Sequence, residues 1–343
     1  MERKIKMMSS RKFMSVIIAL SFSVMFYTSA AFAKPLTLKC AGTNAVKQSG
    51  TIQMKEMGSN IEKLSNGEIK IKCFPAGQLG DYTLIYEEIT KGTIDMGVIP
   101  IPTTYEKAHY IVYSPFIAKD YNDAEKMFKN GSWLFNTCAK LHSKLGVKFL
   151  GFQFHGFGGI GTTKPVNKPL DPNVSKEILL RISPMEMDSL LLKTMGYNTV
   201  TIPYADLYTS FQAGLCEGWY GGSAAYSYEG FRDVLKNYYA LNIYAEAESI
   251  VISEKTWKKL SPDQQKAVIK AANDMSAKSI AEAEKIDEDY MKKLEKAGLK
   301  VYRYTPQELE ANAQKVRKEV WPKMGQYIGE DLAKQLIKEY SSK

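Results

Sequence analysis

One arginine in this 343-residue chain stands where a charged side chain has little structural reason to be. Arg181 directly follows the short apolar run 178–180, which has the composition of a buried strand. Open α/β sheets bind their ligands beyond the carboxyl ends of their strands. A guanidinium group is a planar fork of N–H donors that matches a carboxylate. We therefore expect Arg181 to hold an acid; the alternative is a buried ion pair with Glu186 or Asp206.

Strand–helix units flank this arginine. Apolar residues recur at helical spacing after it, up to Gly196, which is a typical helix stop. A second strand over 198–202 ends at Pro203, and a further helix ends at Gly214. The amino-terminal part of the chain alternates in the same way. This alternation predicts an α/β fold with parallel strands and helices on both faces of the sheet.

Aromatic side chains are concentrated around the same region of the sequence. Ligand pockets are mostly apolar with a few fixed polar groups, so aromatic walls are expected around a bound acid. For each ring, ordinary core packing is the alternative. A histidine here either hydrogen-bonds a hydroxyl or keto group of the ligand or is simply packed. The candidates are Phe154, His155, Phe157, Tyr204, Trp219 and Tyr220, with Gly158 and Gly221 beside them.

A glycine-rich run from Gly156 to Gly161 formally fits the G-x-G-x-x-G pattern of dinucleotide sites. That pattern requires a helix directly after the glycines, whose amino terminus binds the pyrophosphate. Residues 162–165 read Thr-Thr-Lys-Pro and do not continue as such a helix. We interpret the glycines as a hinge or as a close approach of the backbone to another group.

Residues 1–33 have the pattern of a secretory signal peptide. A basic segment precedes the apolar run 13–27, and Ala31-Phe32-Ala33 fits a small-residue cleavage site. The alternative is an uncleaved membrane anchor, because the apolar run approaches spanning length. Cleavage leaves 34–343, which is long enough for two domains. It also lowers the formal net charge from +9 to +5, because five Lys or Arg residues and one Glu are removed.

Charge and cysteine content argue against several protein classes. The lysines are scattered without a dense basic run, so nucleic-acid binding has little support. The four cysteines show no zinc-site spacing, and we expect no metal and no cofactor.

Cys40 and Cys73 end two strands that the sheet would place side by side. They either form a disulfide in an oxidising compartment or remain buried thiols.

Two long helical patterns are present. One covers 122–144, and the other runs from a capping box at Ser261 to about Lys296. At 1.5 Å per residue the second would be roughly 50 Å long, more than a single domain needs. We interpret it as a brace across both domains, bent or broken along its length. The alternative is two consecutive helices.

Several stretches resemble the solute-binding proteins of tripartite ATP-independent periplasmic (TRAP) transporters, of the DctP type. As in that family, the central strand ends in an arginine and the helix after it ends in a Gly. A second helix also ends in a Gly, and an acidic residue followed by Gly comes shortly after it. The matching stretches are FPAGQLG (74–80), LRISP (180–184), MGYNTV (195–200), YTSFQAG (208–214) and EG (217–218). The resemblance covers nearly all of the chain after residue 33.

This resemblance implies a periplasmic-binding-protein-like fold of type II. Each of two domains would hold a mixed, mostly parallel sheet flanked by helices, with the ligand cleft between the domains. Domain I would be 34–157 plus 246–284, and domain II would be 158–245 plus 285–343.

The resemblance also implies the function. Such a protein closes over a small organic acid and delivers it to the small and large membrane subunits of a TRAP transporter; we expect a periplasmic monomer without enzymatic activity. By resemblance, Arg181 is the arginine that holds the solute's carboxylate. Many members carry a second arginine where Gly158 stands here, and an asparagine in the part occupied by 219–222. These departures predict a solute with one carboxylate, such as an aromatic or 2-oxo acid, rather than sialic acid or a C4-dicarboxylate.

Two other functions remain open at this point. A periplasmic hydrolase needs a nucleophile, a base and an oxyanion site. The chain has three histidines and no G-x-S-x-G motif, so it offers little for that chemistry. A periplasmic sensor subunit for the same solutes would have the same fold and pocket, and the sequence does not separate it from a transport protein.

Overall fold

The computed structural model describes residues 34–183 and 186–341. The predicted signal peptide, 1–33, lies outside the described residues. Within the described part of the chain, no helix combines the length and the apolar character needed to cross a membrane.

The amino-terminal part alternates strands and helices as predicted. Its elements are β1 (Leu36–Gly42), α1 (Ser49–Leu64), β2 (Ile69–Phe74), α2 (Tyr82–Lys91) and β3 (Met96–Pro100). Local signals set the ends of α2. The side chain of Asp81 accepts a hydrogen bond from the N–H of Leu84 at its start, and Gly92 ends it in a left-handed conformation.

The single helix predicted over 122–144 is wrong. After a 3₁₀ turn at Lys107–Tyr113, the chain forms two helices, α3 (Tyr121–Phe128) and α4 (Trp133–Lys144). Gly131 between them has a φ of 82°, which breaks the helical backbone. Ser132 then caps α4 by accepting a hydrogen bond from the N–H of Phe135.

The rest of the chain contains the longest strands and the longest helix. The strands are β4 (Val147–Thr162), β5 (Leu179–Ile182), β6 (Asn198–Thr201), β7 (Gly218–Gly222), β8 (Asn237–Ser253) and β9 (Lys300–Arg303). Between β5 and β8 lie α5 (Glu186–Thr194), α6 (Leu207–Gln212) and α7 (Ala224–Phe231). After β8 come α8 (Glu254–Trp257), α9 (Pro262–Lys296), α10 (Pro306–Glu319), α11 (Gly325–Ile328) and α12 (Glu330–Ser341). Shorter 3₁₀ turns occupy Tyr204–Asp206 and Trp321–Met324.

All nine strands of the described residues belong to one mixed sheet. Its order is β2-β1-β3-β8-β4-β7-β5-β6, and β9 pairs with β8. β4 and β8 are antiparallel along almost their full length, whereas β1–β3, β5–β6, β5–β7 and β8–β9 are parallel pairs. The predicted α/β fold, a mixed sheet flanked by helices, is confirmed. The domain boundaries remain a prediction, and the two predicted domains share the strands β4 and β8.

The helix α9 is one continuous helix of 35 residues, so the alternative of two consecutive helices is not realised. The predicted capping box is present, since the Ser261 and Gln264 side chains each bond the other residue's backbone N–H. Along its length α9 contacts β4, β9 and the helices α1, α3 and α7. It therefore braces elements from both predicted domains.

β4 bends where it crosses α9. Its register with β8 shifts between Phe154 and Gly156, and Gly156 has a φ of 100°. Asp287 of α9 accepts hydrogen bonds from the N–H of Phe157 at 3.1 Å and from the hydroxyl of Tyr121 at 2.6 Å. A Cβ atom at Gly156 would lie 2.1 Å from an Asp287 carboxylate oxygen. Only glycine fits here, as the close-approach interpretation of the glycine run predicts.

The four cysteines are free thiols in this structure. Cys40 and Cys73 lie on the neighbouring strands β1 and β2, as predicted, but they are not bonded to each other. Burial raises the pKa of both thiols. Both are therefore weak nucleophiles at neutral pH.

We expect Gly156→Ala to destabilise the fold strongly, because an added methyl group meets Asp287 and a left-handed backbone. Gly67→Ala is the matched control: Gly67 has a φ of 79°, but its added Cβ meets nothing within 4 Å. The control should lose about 1 kcal/mol of unfolding free energy, and Gly156→Ala at least about 3 kcal/mol. Calorimetric melting curves measure both. Equal losses would contradict the contact between β4 and α9.

Asp287 also predicts a pH dependence of stability. Burial raises its pKa to about 7, although Tyr121 and the Phe157 N–H oppose the rise. A carboxyl group whose folded pKa is raised stabilises the fold at low pH, and this contribution is lost as the pH rises towards 7. As the pH rises from 4 to 7, the unfolding free energy of the native chain should therefore fall more steeply than that of Asp287→Asn. The two slopes should differ by up to about 1.4 kcal/mol per pH unit. Denaturant unfolding at each pH tests this, and parallel curves for the two proteins would contradict it.

Candidate functional site

A cavity of about 290 Å³ lies at the carboxyl ends of β3, β5 and β7 and against the middle of β8. This is the edge of the sheet at which open α/β folds bind ligands. Its apolar wall consists largely of tyrosine rings. They are Tyr82, Tyr113, Tyr204, Tyr220, Tyr226 and Tyr244.

Arg181 lies in the wall of this cavity, as the sequence predicts. The residue is only 4% exposed, and burial lowers the pKa of its guanidinium. Its Nε donates a hydrogen bond to the carbonyl oxygen of Ile202 at 2.7 Å. The guanidinium carbon lies 5.9 Å from the ring centre of Tyr204. Among the described residues, no hydrogen bond involves the two terminal nitrogens, so they are the free donors of this wall.

The alternative of a structural ion pair is not realised with Asp206, which is exposed and makes no ion pair with Arg181. The side chain of Glu186 lies outside the described part of the structure. The carboxylate that acts on Arg181 is instead Asp188 of α5, at more than ion-pair distance. Asp188 accepts a hydrogen bond from Ser183 Oγ at 2.5 Å. Burial raises its pKa to about 6, although Ser183 and Arg181 oppose the rise.

Two further carboxylates come from β8. Residues two apart on a strand point to the same face, and Tyr244, Glu246 and Glu248 all line the cavity. Oε2 of Glu246 accepts a hydrogen bond from the backbone N–H of Ser223 at 3.1 Å. Burial raises the pKa of Glu246 to about 7, although the charge of His155 lowers it. Sequence reasoning missed this pair; acidic residues at alternate positions of an otherwise apolar strand were the available signal.

Glu248 is held from behind the cavity. Its Oε2 accepts a hydrogen bond from Nδ2 of Asn44 at 2.9 Å and lies 3.5 Å from Nε2 of His155. Burial lowers the pKa of His155, but Glu248, Glu246 and Asp287 outweigh this, and the pKa is raised overall. His155 itself faces a smaller pocket that Asn44 and Gln48 also line. It therefore supports the wall rather than forming it.

The structure brings together four of the nine residues predicted for the site. Arg181, Tyr204, Tyr220 and Gly221 line the cavity. Trp219 does not: it is 1% exposed, and its ring packs 4.9 Å from the ring of Phe231. Neighbouring residues of a strand point to opposite faces, so Trp219 lies behind the sheet when Tyr220 faces the cavity.

Phe157 and Gly158 do not line the cavity either. The ring of Phe157 is buried against Tyr121, at 5.0 Å between ring centres. A Cβ at Gly158 would lie 2.0 Å from a ring carbon of Tyr244. Gly158 thus leaves the space into which Tyr244 packs.

The arrangement suits binding better than covalent chemistry. Ser183, a hydroxyl of the lining, is bonded to Asp188, and His155 contacts Glu248 behind the wall. No serine–histidine pair is found among the described side chains of the cavity. Residues 34–183 and 186–341 also contain no group of three or more His, Cys, Asp or Glu side chains placed to hold a metal ion.

Known proteins are similar to this chain in sequence and fold. The sialic acid-binding periplasmic protein SiaP of Vibrio cholerae is 24% identical over 223 residues, which cover 64% of this chain and 67% of that protein. A TRAP periplasmic solute-binding protein from Ochrobactrum anthropi has a TM-score of 0.81 at 21% identity, covering 90% of this chain and 96% of the other. One from Haemophilus influenzae with bound L-gulonate has a TM-score of 0.78 at 22% identity, covering 90% and 99%.

The family model of the bacterial extracellular solute-binding proteins of family 7, DctP, matches residues 41–326. That match includes every strand from β2 to β9 and every residue named in the cavity. The chain therefore belongs to this family, the solute-binding proteins of TRAP transporters.

Proposed function

We propose that this protein captures a small organic acid with one carboxylate in the cavity and delivers it to TRAP membrane subunits. The observation that carries the proposal is the pair of terminal nitrogens of Arg181, which belong to a charged group in the cavity wall, on a residue only 4% exposed, and have no hydrogen bond among the described residues. A buried charged donor needs a partner. A carboxylate fits, because its two oxygens accept both N–H groups in parallel.

The remaining wall limits what else the solute carries. The cavity volume is at the low end of the range for ligand pockets, so the solute is small. The aromatic rings favour apolar or planar groups. Arg181 is the one arginine among the described residues that line the cavity, so this wall offers no second guanidinium group for another carboxylate.

Capture by closure of two domains is part of the proposal. Arg181 and Tyr220 come from predicted domain II, and Tyr82 and Glu248 come from predicted domain I. Hydrogen bonds also join the two predicted domains directly. The Tyr226 hydroxyl donates to Asn44 Oδ1 at 2.7 Å, and Nε2 of Gln48 donates to Oε2 of Glu229. A solute that contacts both sides stabilises the closed state relative to an open one.

The cellular location and the partners are proposed from the family. We propose that 1–33 is cleaved on export and that the mature chain works in the periplasm as a monomer, without catalysing a reaction. In that compartment it would meet the small and large membrane subunits.

We expect Arg181→Ala to weaken acid binding by about 2–5 kcal/mol, the usual loss when one partner of a buried charge pair is removed. Arg181→Lys should recover only part of this, because lysine keeps the charge but lacks the fork. Isothermal titration with an acid found by melting-temperature screening measures both. Arg232→Ala, an exposed arginine beside Asp233, is the control and should bind normally. Unchanged affinity in Arg181→Ala would remove the anchor from the proposal.

We expect Gly158→Ala to lower both stability and affinity, because the added methyl group displaces the ring of Tyr244 into the cavity. The stability cost should be about 1–3 kcal/mol, as for other overpacked sites. The double variant Gly158→Ala/Tyr244→Ala removes the collision and should lose less stability than the two single losses added together. Strict additivity in melting curves would show that the two residues do not interact.

A further inference from the structure

Acidic side chains outnumber basic ones in the cavity wall. Among the described residues, Asp188, Glu246 and Glu248 line it together with one basic side chain, Arg181. The imidazole of His155 lies behind Glu248. A solute with only a carboxylate would add another anion to this wall. Like charges that share a buried site disfavour each other's ionised form.

In each of these carboxylates, one oxygen accepts a hydrogen bond from the protein and the other oxygen does not. Glu246 Oε2 accepts from the Ser223 N–H, Glu248 Oε2 from Asn44, and Asp188 Oδ2 from Ser183. Among the described residues, the second oxygen of each accepts no hydrogen bond. The cavity wall therefore has free acceptors as well as the free donors of Arg181.

Arg181 and the β8 carboxylates come from different strands of the sheet. Arg181 lies on β5, Glu246 and Glu248 lie on β8, and the strands β4 and β7 lie between them. Tyr204 and Tyr244 line the same cavity, and both interact electrostatically with Arg181 and with Glu246. Tyr226 also borders Glu246. Tyrosine faces attract cations, so the rings around Glu246 reinforce its preference for positive charge.

We infer that the solute is an ammonium carboxylate, such as an amino acid or a related zwitterion, with its carboxylate on Arg181 and its cationic nitrogen facing Glu246 and Glu248. Such a solute leaves the net charge of the cavity unchanged and gives a partner to Arg181 and to the β8 carboxylates. The inference rests on the proposed function, because it identifies the solute class of the same site. It adds Glu246 as the residue that selects the cationic nitrogen.

The experiment compares amino compounds with their deaminated analogues. The mature protein is titrated calorimetrically with the L-amino acids, β-alanine and 4-aminobutyrate, and with the 2-hydroxy, 2-oxo or deaminated acid of the same skeleton. We expect the amino compound of the best pair to bind about 10- to 100-fold more tightly than its analogue, the range for a hydrogen bond to a charged group.

Two variants test whether Glu246 causes the preference for the amino compound. Glu246→Gln keeps the shape of the side chain and should abolish the preference for the amino compound, while binding of the deaminated acid stays equal or improves. Glu319→Gln, an exposed carboxylate outside the cavity, is the matched control and should keep the preference. Because the readout is a ratio of two affinities, partial loss of folded protein does not affect it.

The outcomes separate this inference from the proposal on which it rests. Tight binding of a deaminated acid, lost in Arg181→Ala but without preference for the amine, would overturn the inference and leave acid capture standing. Acid binding that requires added Na⁺ or Ca²⁺ would overturn it too, since a metal ion would then supply the positive charge. Absence of binding by every acid and every amino acid would overturn acid capture itself.

Discussion

The antiparallel pair β4–β8 is the constraint on which the rest of the structure depends. These two strands join the parallel strands on either side into one sheet, and the middle of β8 forms one wall of the cavity. The pair is interrupted where β4 passes α9, because Gly156 and Asp287 are in close contact there. The same crossing places Gly158 against Tyr244 and sets Glu246 beside the cavity. Changes in the register of this pair would therefore move the site.

The electrostatics of the site follow from burial. A charged guanidinium on a residue only 4% exposed, with Nε alone hydrogen-bonded among the described residues, is costly for the unliganded protein. The carboxylates of the cavity wall have raised pKa values for the same reason, Glu246 to about 7 and Asp188 to about 6. A solute that brings both charges relieves both costs. The binding energy then comes from unsatisfied groups that the fold already holds in place.

Local signals in the sequence predicted much of this. The capping box at Ser261 and the arginine at the end of β5 depend on neighbouring residues and were identified from the sequence. Nonlocal features were not predictable in this way. The alternation in β7 requires that only one of Trp219 and Tyr220 faces the cavity, but no local signal shows which one. Glu246 and Glu248 reach Arg181's cavity only through the pairing of β8 with β4, far along the chain.

A crystal structure of the mature protein with its bound solute tests the central claim most directly. The account predicts that both carboxylate oxygens of the solute lie about 2.7–2.9 Å from the two terminal nitrogens of Arg181, the usual length of charge-assisted bonds. A solute whose acid group lies elsewhere, with Arg181 bonded instead to Asp188, would contradict it.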